Sequence, residues 1–134
     1  MYQNEEYIGE VIQNLNELSL KREDVFITTK LSPADQGRGQ CRTKILEAIK
    51  RLKTPYLDLV LIHWPGVKDM DSRDPKVPEL RKGSYEDLED LQSEGLIRSI
   101  GVSNYMISHL DELLKHCKVV PVVNQVSIDM PIIL

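Results

Sequence analysis

Tyr56-Leu57-Asp58-Leu59-Val60-Leu61-Ile62-His63-Trp64-Pro65 decides the fold. Leu57, Leu59, Val60, Leu61 and Ile62 form a nearly continuous apolar run of strand length. Such a run suits a strand buried on both faces, as in a parallel sheet covered by helices. Pro65 has no N–H to give to a ladder and stops it. An ionisable ring and an indole, His63 and Trp64, therefore stand where a central strand leaves the core. In a β/α barrel that end of the strands is where active sites are built. Taken alone, the stretch slightly favours a strand-end histidine held by a loop carbonyl.

Outward from this strand, the chain alternates. Asn4 to about Leu15 carries Ile8, Val11, Ile12 and Leu15 at helical spacing, with Glu5 and Glu6 at the end the helix dipole favours. Val25–Leu31 reads as a β-branched strand, and Ser32–Gln40, with Pro33, Gly37 and Gly39, as a loop. Cys41–Leu52 has a helical apolar face. Residues 66 to 83, rich in Asp, Lys, Pro and Gly, read as a long polar loop, a feature often functional in compact domains. Ser84 is the expected N-cap of a third helix that ends at Gly95. Ile97–Val102 is a strand, Ile107–His116 a helix with Ile107, Leu110, Leu113 and Leu114 inward, and Val122–Ile128 a last strand. Four strands alternating with four helices make a parallel α/β arrangement.

Composition excludes several function classes. With a net charge of −4 and Lys/Arg pairs scattered among acids, no basic stripe is present for nucleic acid. No apolar run approaches the ~20 residues of a membrane span. No basic and apolar leader follows Met1, and Cys41 and Cys117 look like reduced, packed thiols. The expectation is a cytoplasmic protein with a small-molecule substrate, no nucleic-acid partner and no membrane.

Polar groups then gather at one rim of the strands. Lys30 lies near the end of the first, His63 at the end of the second, Ser103–Asn104 beyond the third, and Gln125 within the fourth. A single Lys could be snorkelling at the rim. Several such groups at one rim point to a site.

In order and spacing the chain resembles the aldo-keto reductases. The segments that carry the resemblance are Tyr2-Gln3-Asn4-Glu5 with Gly9, Val25–Leu31, Tyr56–Pro65, Ile100–Tyr105 and Val123–Val126. The resemblance implies part of a TIM (β/α)8 barrel that reduces aldehydes and ketones to alcohols with NADPH. It implies Tyr2 as the general acid, Lys30 as the ammonium that lowers the phenol's pKa, and His63 as the ring that orients the carbonyl. Ser103, Asn104 and Gln125 would hold the nicotinamide carboxamide, Trp64 would line the substrate pocket, and the 66–83 loop would act as a lid. No metal is implied.

The family's acidic partner of the lysine would precede Met1, and its later strands would follow the last strand here. Ser127, Asp129, Met130 and Pro131 depart from the family's usual continuation. The expectation is an internal portion of a reductase barrel, residues 1–134. Alone, it is expected to be silent and to self-associate through open sheet edges. The alternative is a catalytically inactive relative serving as a binding or regulatory module.

Overall fold

A computed structural model describes residues 4–126 and gathers the strand-length apolar runs into one sheet. In chain order, α1 is Glu5–Gln13, β1 Thr28–Leu31, α2 Gln40–Arg51, β2 Leu57–Ile62, α3 Lys76–Ser93, β3 Ile97–Ser103, α4 Ile107–Leu114 and β4 Asn124–Gln125. The sheet order is β1-β2-β3-β4 and every pairing is parallel. Among the described residues, β1 and β4 each have one unpaired edge.

Register sorts the strand residues onto two faces, because side chains alternate along a strand. Lys30, Leu61 and Gly101 are partners across β1, β2 and β3, as are Thr28, Leu59 and Ser99 one step earlier. Ser103 and Gln125 continue this face into β4. The opposite face carries Leu31, Val60, Ile62, Ile100 and Val102, and helices cover it. Its residues join Cys41, Ile45 and Leu52, then Tyr85, Leu88 and Leu91, then Leu113, in one buried cluster. Burying each large apolar side chain there contributes roughly 1.5–3 kcal/mol. This face holds the sheet to its helices; the other carries the chemistry.

Four elements differ from the sequence reading. α3 begins at Lys76, two turns before Ser84. Asp74 Oδ1 accepts from Lys76 N at 2.9 Å, and Pro75 and Pro78 fall at the helix start, where a missing N–H is not missed. Ser84 is buried inside the helix instead of capping it: its Oγ accepts from Gly37 N at 2.7 Å and donates to Leu80 O at 2.9 Å. Of the expected 66–83 loop, the part from Lys76 is therefore helical.

β1 starts at Thr28 rather than Val25. At Ile27 the N–H leaves the ladder for a side chain, donating to Asp58 Oδ2 at 2.9 Å, while the carbonyl still accepts from Asp58 N and Leu59 N. Ile107, expected inward, is 79% exposed, and Leu114 also faces out, leaving Leu113 as the buried anchor of α4. Contact between β3 and the last segment begins at Val122, whose N–H donates to Ile100 O at 3.0 Å, although the strand itself is Asn124–Gln125. Ser127 and Ile128 lie outside the described residues. Gly95 does end α3 as read, with φ +78 and with Leu96 N donating to Leu91 O at 3.0 Å. Cys41 is buried and Cys117 half-buried, both free thiols.

Candidate active site

His63 follows the last residue of β2, and its backbone is held from both sides. Its N–H donates to Leu31 O at 3.1 Å, and its carbonyl accepts from Asn104 Nδ2 at 3.0 Å. The ring stands beside Trp64, centroids 6.1 Å apart. Burial, and then the charge of Lys30, lower its pKa below the ordinary histidine value. The imidazole is therefore neutral at neutral pH, with one N–H donor and one acceptor.

Lys30 shares the sheet face of Leu61, two residues before the level of His63. It is half-buried, and among the described residues no carboxylate lies within ion-pair distance of its ammonium. A cation placed on this face has its charge available to whatever binds there.

Ser103 ends β3 and Asn104 turns the chain away. Asn104 has φ +59, a left-handed conformation that asparagine tolerates better than most residues. Ser103 Oγ donates to Gln125 O at 2.7 Å and accepts from Asn104 Nδ2 at 3.1 Å; Asn104 N donates to the same carbonyl at 3.0 Å. Asn124 grips Tyr105 reciprocally, accepting from Tyr105 N at 3.2 Å and donating to Tyr105 O at 2.9 Å. These bonds leave Asn104 Oδ1 and the exposed Gln125 amide without partners among the described residues. A carboxamide needs both acceptors and donors, and both are present here.

Trp64 is 49% exposed, with its ring free to line a pocket. Lys30, His63, Ser103, Asn104 and Gln125 thus fall at one end of one sheet, with Trp64 beside them. Tyr2 lies outside the described residues. Two surface hollows, between α1 and α2 and along α1, lie elsewhere and are lined by mixed charges or exposed apolar groups.

Two buried polar residues at this rim escape the sequence reading. Gln36 Nε2 donates to Trp64 O at 3.0 Å and to Gly66 O at 2.6 Å. Arg81 Nη1 donates to Pro65 O at 2.8 Å, while its guanidinium forks onto Glu112 at 2.7 and 2.8 Å. Their signal in the sequence was faint: a glutamine between loop residues, and an arginine in a stretch read as solvated loop.

The sequence profile of the Aldo/keto reductase family matches residues 1–131. The chain is 42% identical over 127 residues to a glyoxal reductase of Bacillus subtilis (strain 168), covering 95% of this chain and 41% of that protein. It is likewise 42% identical over 127 residues to methylglyoxal reductase DkgA of Escherichia coli (strain K12), with the same two coverages. The solved structure of a Bombyx mori aldo-keto reductase in complex with NADP superposes with a TM-score of 0.78 at 30% identity, covering 95% of this chain and 41% of that one. The chain spans about two fifths of the length of these relatives. Its four parallel strands and their helices form part of the (β/α)8 barrel of those enzymes. The chain belongs to the aldo/keto reductase family.

Proposed function

We propose that this chain carries the carbonyl-reducing centre of an NADPH-dependent reductase of small aldehydes, with 2-oxoaldehydes such as methylglyoxal as the substrate class. One observation carries the reading. The neutral ring of His63, the ammonium of Lys30 and the amide groups of Asn104 and Gln125 share one end of one parallel sheet. The names of the glyoxal and methylglyoxal reductases it resembles support the substrate class.

Bound NADPH supplies the hydride to the carbonyl carbon. Ser103, Asn104 and Gln125 hold the nicotinamide carboxamide and so fix which face of the ring meets the substrate. The neutral imidazole of His63 donates its N–H to the carbonyl oxygen and aligns it. Tyr2 gives that oxygen a proton, completing the alcohol. An unperturbed phenol, with a pKa of ~10, is a poor donor at neutral pH. The Lys30 ammonium corrects this by stabilising the phenolate left behind. Trp64 covers the substrate on the open side.

The test is a chimera in which this chain replaces the segment it matches in the Bacillus subtilis glyoxal reductase. The expected result is NADPH-dependent turnover of methylglyoxal that Tyr2→Phe abolishes while leaving cofactor affinity nearly intact. Turnover in the Phe variant comparable to the parent chimera would remove Tyr2 from the role of acid. A silent parent chimera would contradict the reading as a whole.

A further inference from the structure

Four consecutive backbone carbonyls at the end of β2 accept hydrogen bonds from side chains of three other elements. His63 O takes Asn104 Nδ2 from the end of β3, and Trp64 O and Gly66 O take the two N–H bonds of Gln36. Pro65 O takes Arg81 Nη1 from α3. A strand that stops normally leaves its last carbonyls to water or to a regular turn. Here each one is met by a fixed side chain. Gln36 and Arg81 are 5% and 6% exposed, so these bonds form away from water, where losing one partner is costly.

The donors are themselves anchored to α3. Arg81 stands on that helix and is fixed by its fork onto Glu112 of α4. The loop carrying Gln36 is tied to the same helix, with Gly37 N on Ser84 Oγ at 2.7 Å and Gly39 N on Asp87 Oδ2 at 2.7 Å. Gly83 makes the approach possible: a Cβ there would lie 2.8 Å from Arg38 N. The rigid helix thus reaches the strand-end turn twice, directly through Arg81 and indirectly through Gln36. Gln36 Oε1 is buried with no partner among the described residues. The amide is oriented by what its two N–H groups hold, at the expense of its own acceptor.

We infer that Gln36 and Arg81 are positioning residues that clamp the His63–Gly66 carbonyls and so set where the His63 ring and the Trp64 indole stand toward the substrate. This rests on the reading of His63 and Trp64 as the groups that meet the carbonyl compound. Neither clamp residue touches substrate or cofactor in that reading. Their effect passes through the backbone of the turn, and a displacement of ~1 Å at such groups costs on the order of 10²-fold in rate.

Trp64 is the single tryptophan of the chain, so its emission reports on this turn alone. The experiment measures Trp64 fluorescence anisotropy decay, and the pH at which protonated His63 quenches it, in Gln36→Met, Arg81→Met, Arg81→Lys and Glu112→Gln. Among the described residues, Lys30 of β1 is the charged group acting on that ring. The expected result is faster local motion of Trp64 in Gln36→Met and Arg81→Met, with the quenching midpoint moved up toward the ordinary histidine value. Arg81→Lys, which keeps one donor for Pro65 O, should restore most of the wild-type signal. Glu112→Gln, which keeps one acceptor for the guanidinium but removes the charge that fixes it, should move the signal less than Arg81→Met.

In the methylglyoxal-reducing chimera, Gln36→Met should lower kcat/KM on the order of tenfold or more while NADPH affinity stays the same. Unchanged Trp64 motion in both Met variants overturns the clamp. So does unchanged kcat/KM in an active chimera. A chimera silent before any clamp substitution overturns the assigned chemistry instead, and the Trp64 measurements on the chain still decide whether the clamp exists. If Arg81→Met does not fold, Gln36→Met and Arg81→Lys decide.

Discussion

Asn104 Nδ2 donates to His63 O at 3.0 Å, joining the end of β3 to the end of β2. The same residue sits at φ +59 and has a free Oδ1 among the described residues. One side chain therefore fixes the turn that carries the imidazole and offers an acceptor toward the proposed cofactor.

Substitution of Asn104 should invert the usual ranking of alanine and glycine. Both Asn104→Ala and Asn104→Gly lose the bond to the His63 carbonyl, at a cost of about 1–3 kcal/mol. Only alanine adds strain at positive φ, worth about another 1 kcal/mol. Urea unfolding should find the glycine variant the more stable of the two. A more stable alanine variant would mean that the turn relaxes out of the left-handed conformation.

Gly101 is a second backbone constraint at the site. An added Cβ would lie 2.8 Å from both Leu61 Cδ2 and Val123 O. Leu61 can rotate, but the Val123 carbonyl belongs to the segment that pairs with β3 and must shift. Gly101→Ala should destabilise by about 1–3 kcal/mol and disturb Gln125 more than Lys30. Amide hydrogen exchange would show the disturbance on the β4 side; protection unchanged there would contradict it.

Asp87 caps a helix that is not its own. From α3, its Oδ2 accepts from Gly39 N at 2.7 Å and Arg42 N at 2.9 Å, at the N-terminus of α2, where Gly39 has no side chain to do so. Asp87→Ala should cost about 2 kcal/mol, and Asp87→Asn, which keeps an acceptor, clearly less. Thermal unfolding of the two variants checks the order.

The protein should lose stability in two separate pH windows. His63 and His109 both have lowered pKa values, each mainly through burial. An unfolded histidine near ~6.5 therefore takes up protons that the folded one refuses. Stability should be full above that value and fall as pH drops through it toward the depressed folded values. The carboxylates of Glu47, Asp71 and Glu94 are held low by hydrogen bonds from Lys44, Arg73 and Arg42. These exposed groups add stability above the ordinary carboxylate range that is lost as pH falls below it toward their lowered folded values, and only weakly, because water screens them. Removing His63 and His109 as His63→Gln and His109→Gln should flatten the upper window and leave the lower one. An unflattened upper window would show that neither ring is held neutral by folding.

Much of this was legible in the sequence, for identifiable reasons. The β2 run and its Pro65 stop survive because a doubly buried strand leaves an unbroken apolar signature, and every β2 residue but Leu59 is buried. Gly95 was readable because an αL cap demands that residue type. The rim positions of Lys30, His63, Ser103 and Gln125 followed once the strands were placed, since register carries them to one face. The start of α3 was not legible, because Pro75, Pro78 and Gly83 each look like breakers until the helix start and the close approach of Arg38 are seen. Nor were Gln36 and Arg81: their meaning depends on which carbonyls the fold leaves within reach.

In the proposed function, the rim of β3 and β4 holds nicotinamide beside His63. Energy transfer from Trp64 to NADPH, titrated on the chain, tests it most directly, because the donor is unique and stands within the site. The expected result is saturable quenching that is lost in Gln125→Ala and in Asn104→Gly, with His63→Gln binding NADPH as the parent does. Quenching that survives both rim substitutions, or no saturable transfer at all, would contradict the placement of the cofactor at this end of the sheet.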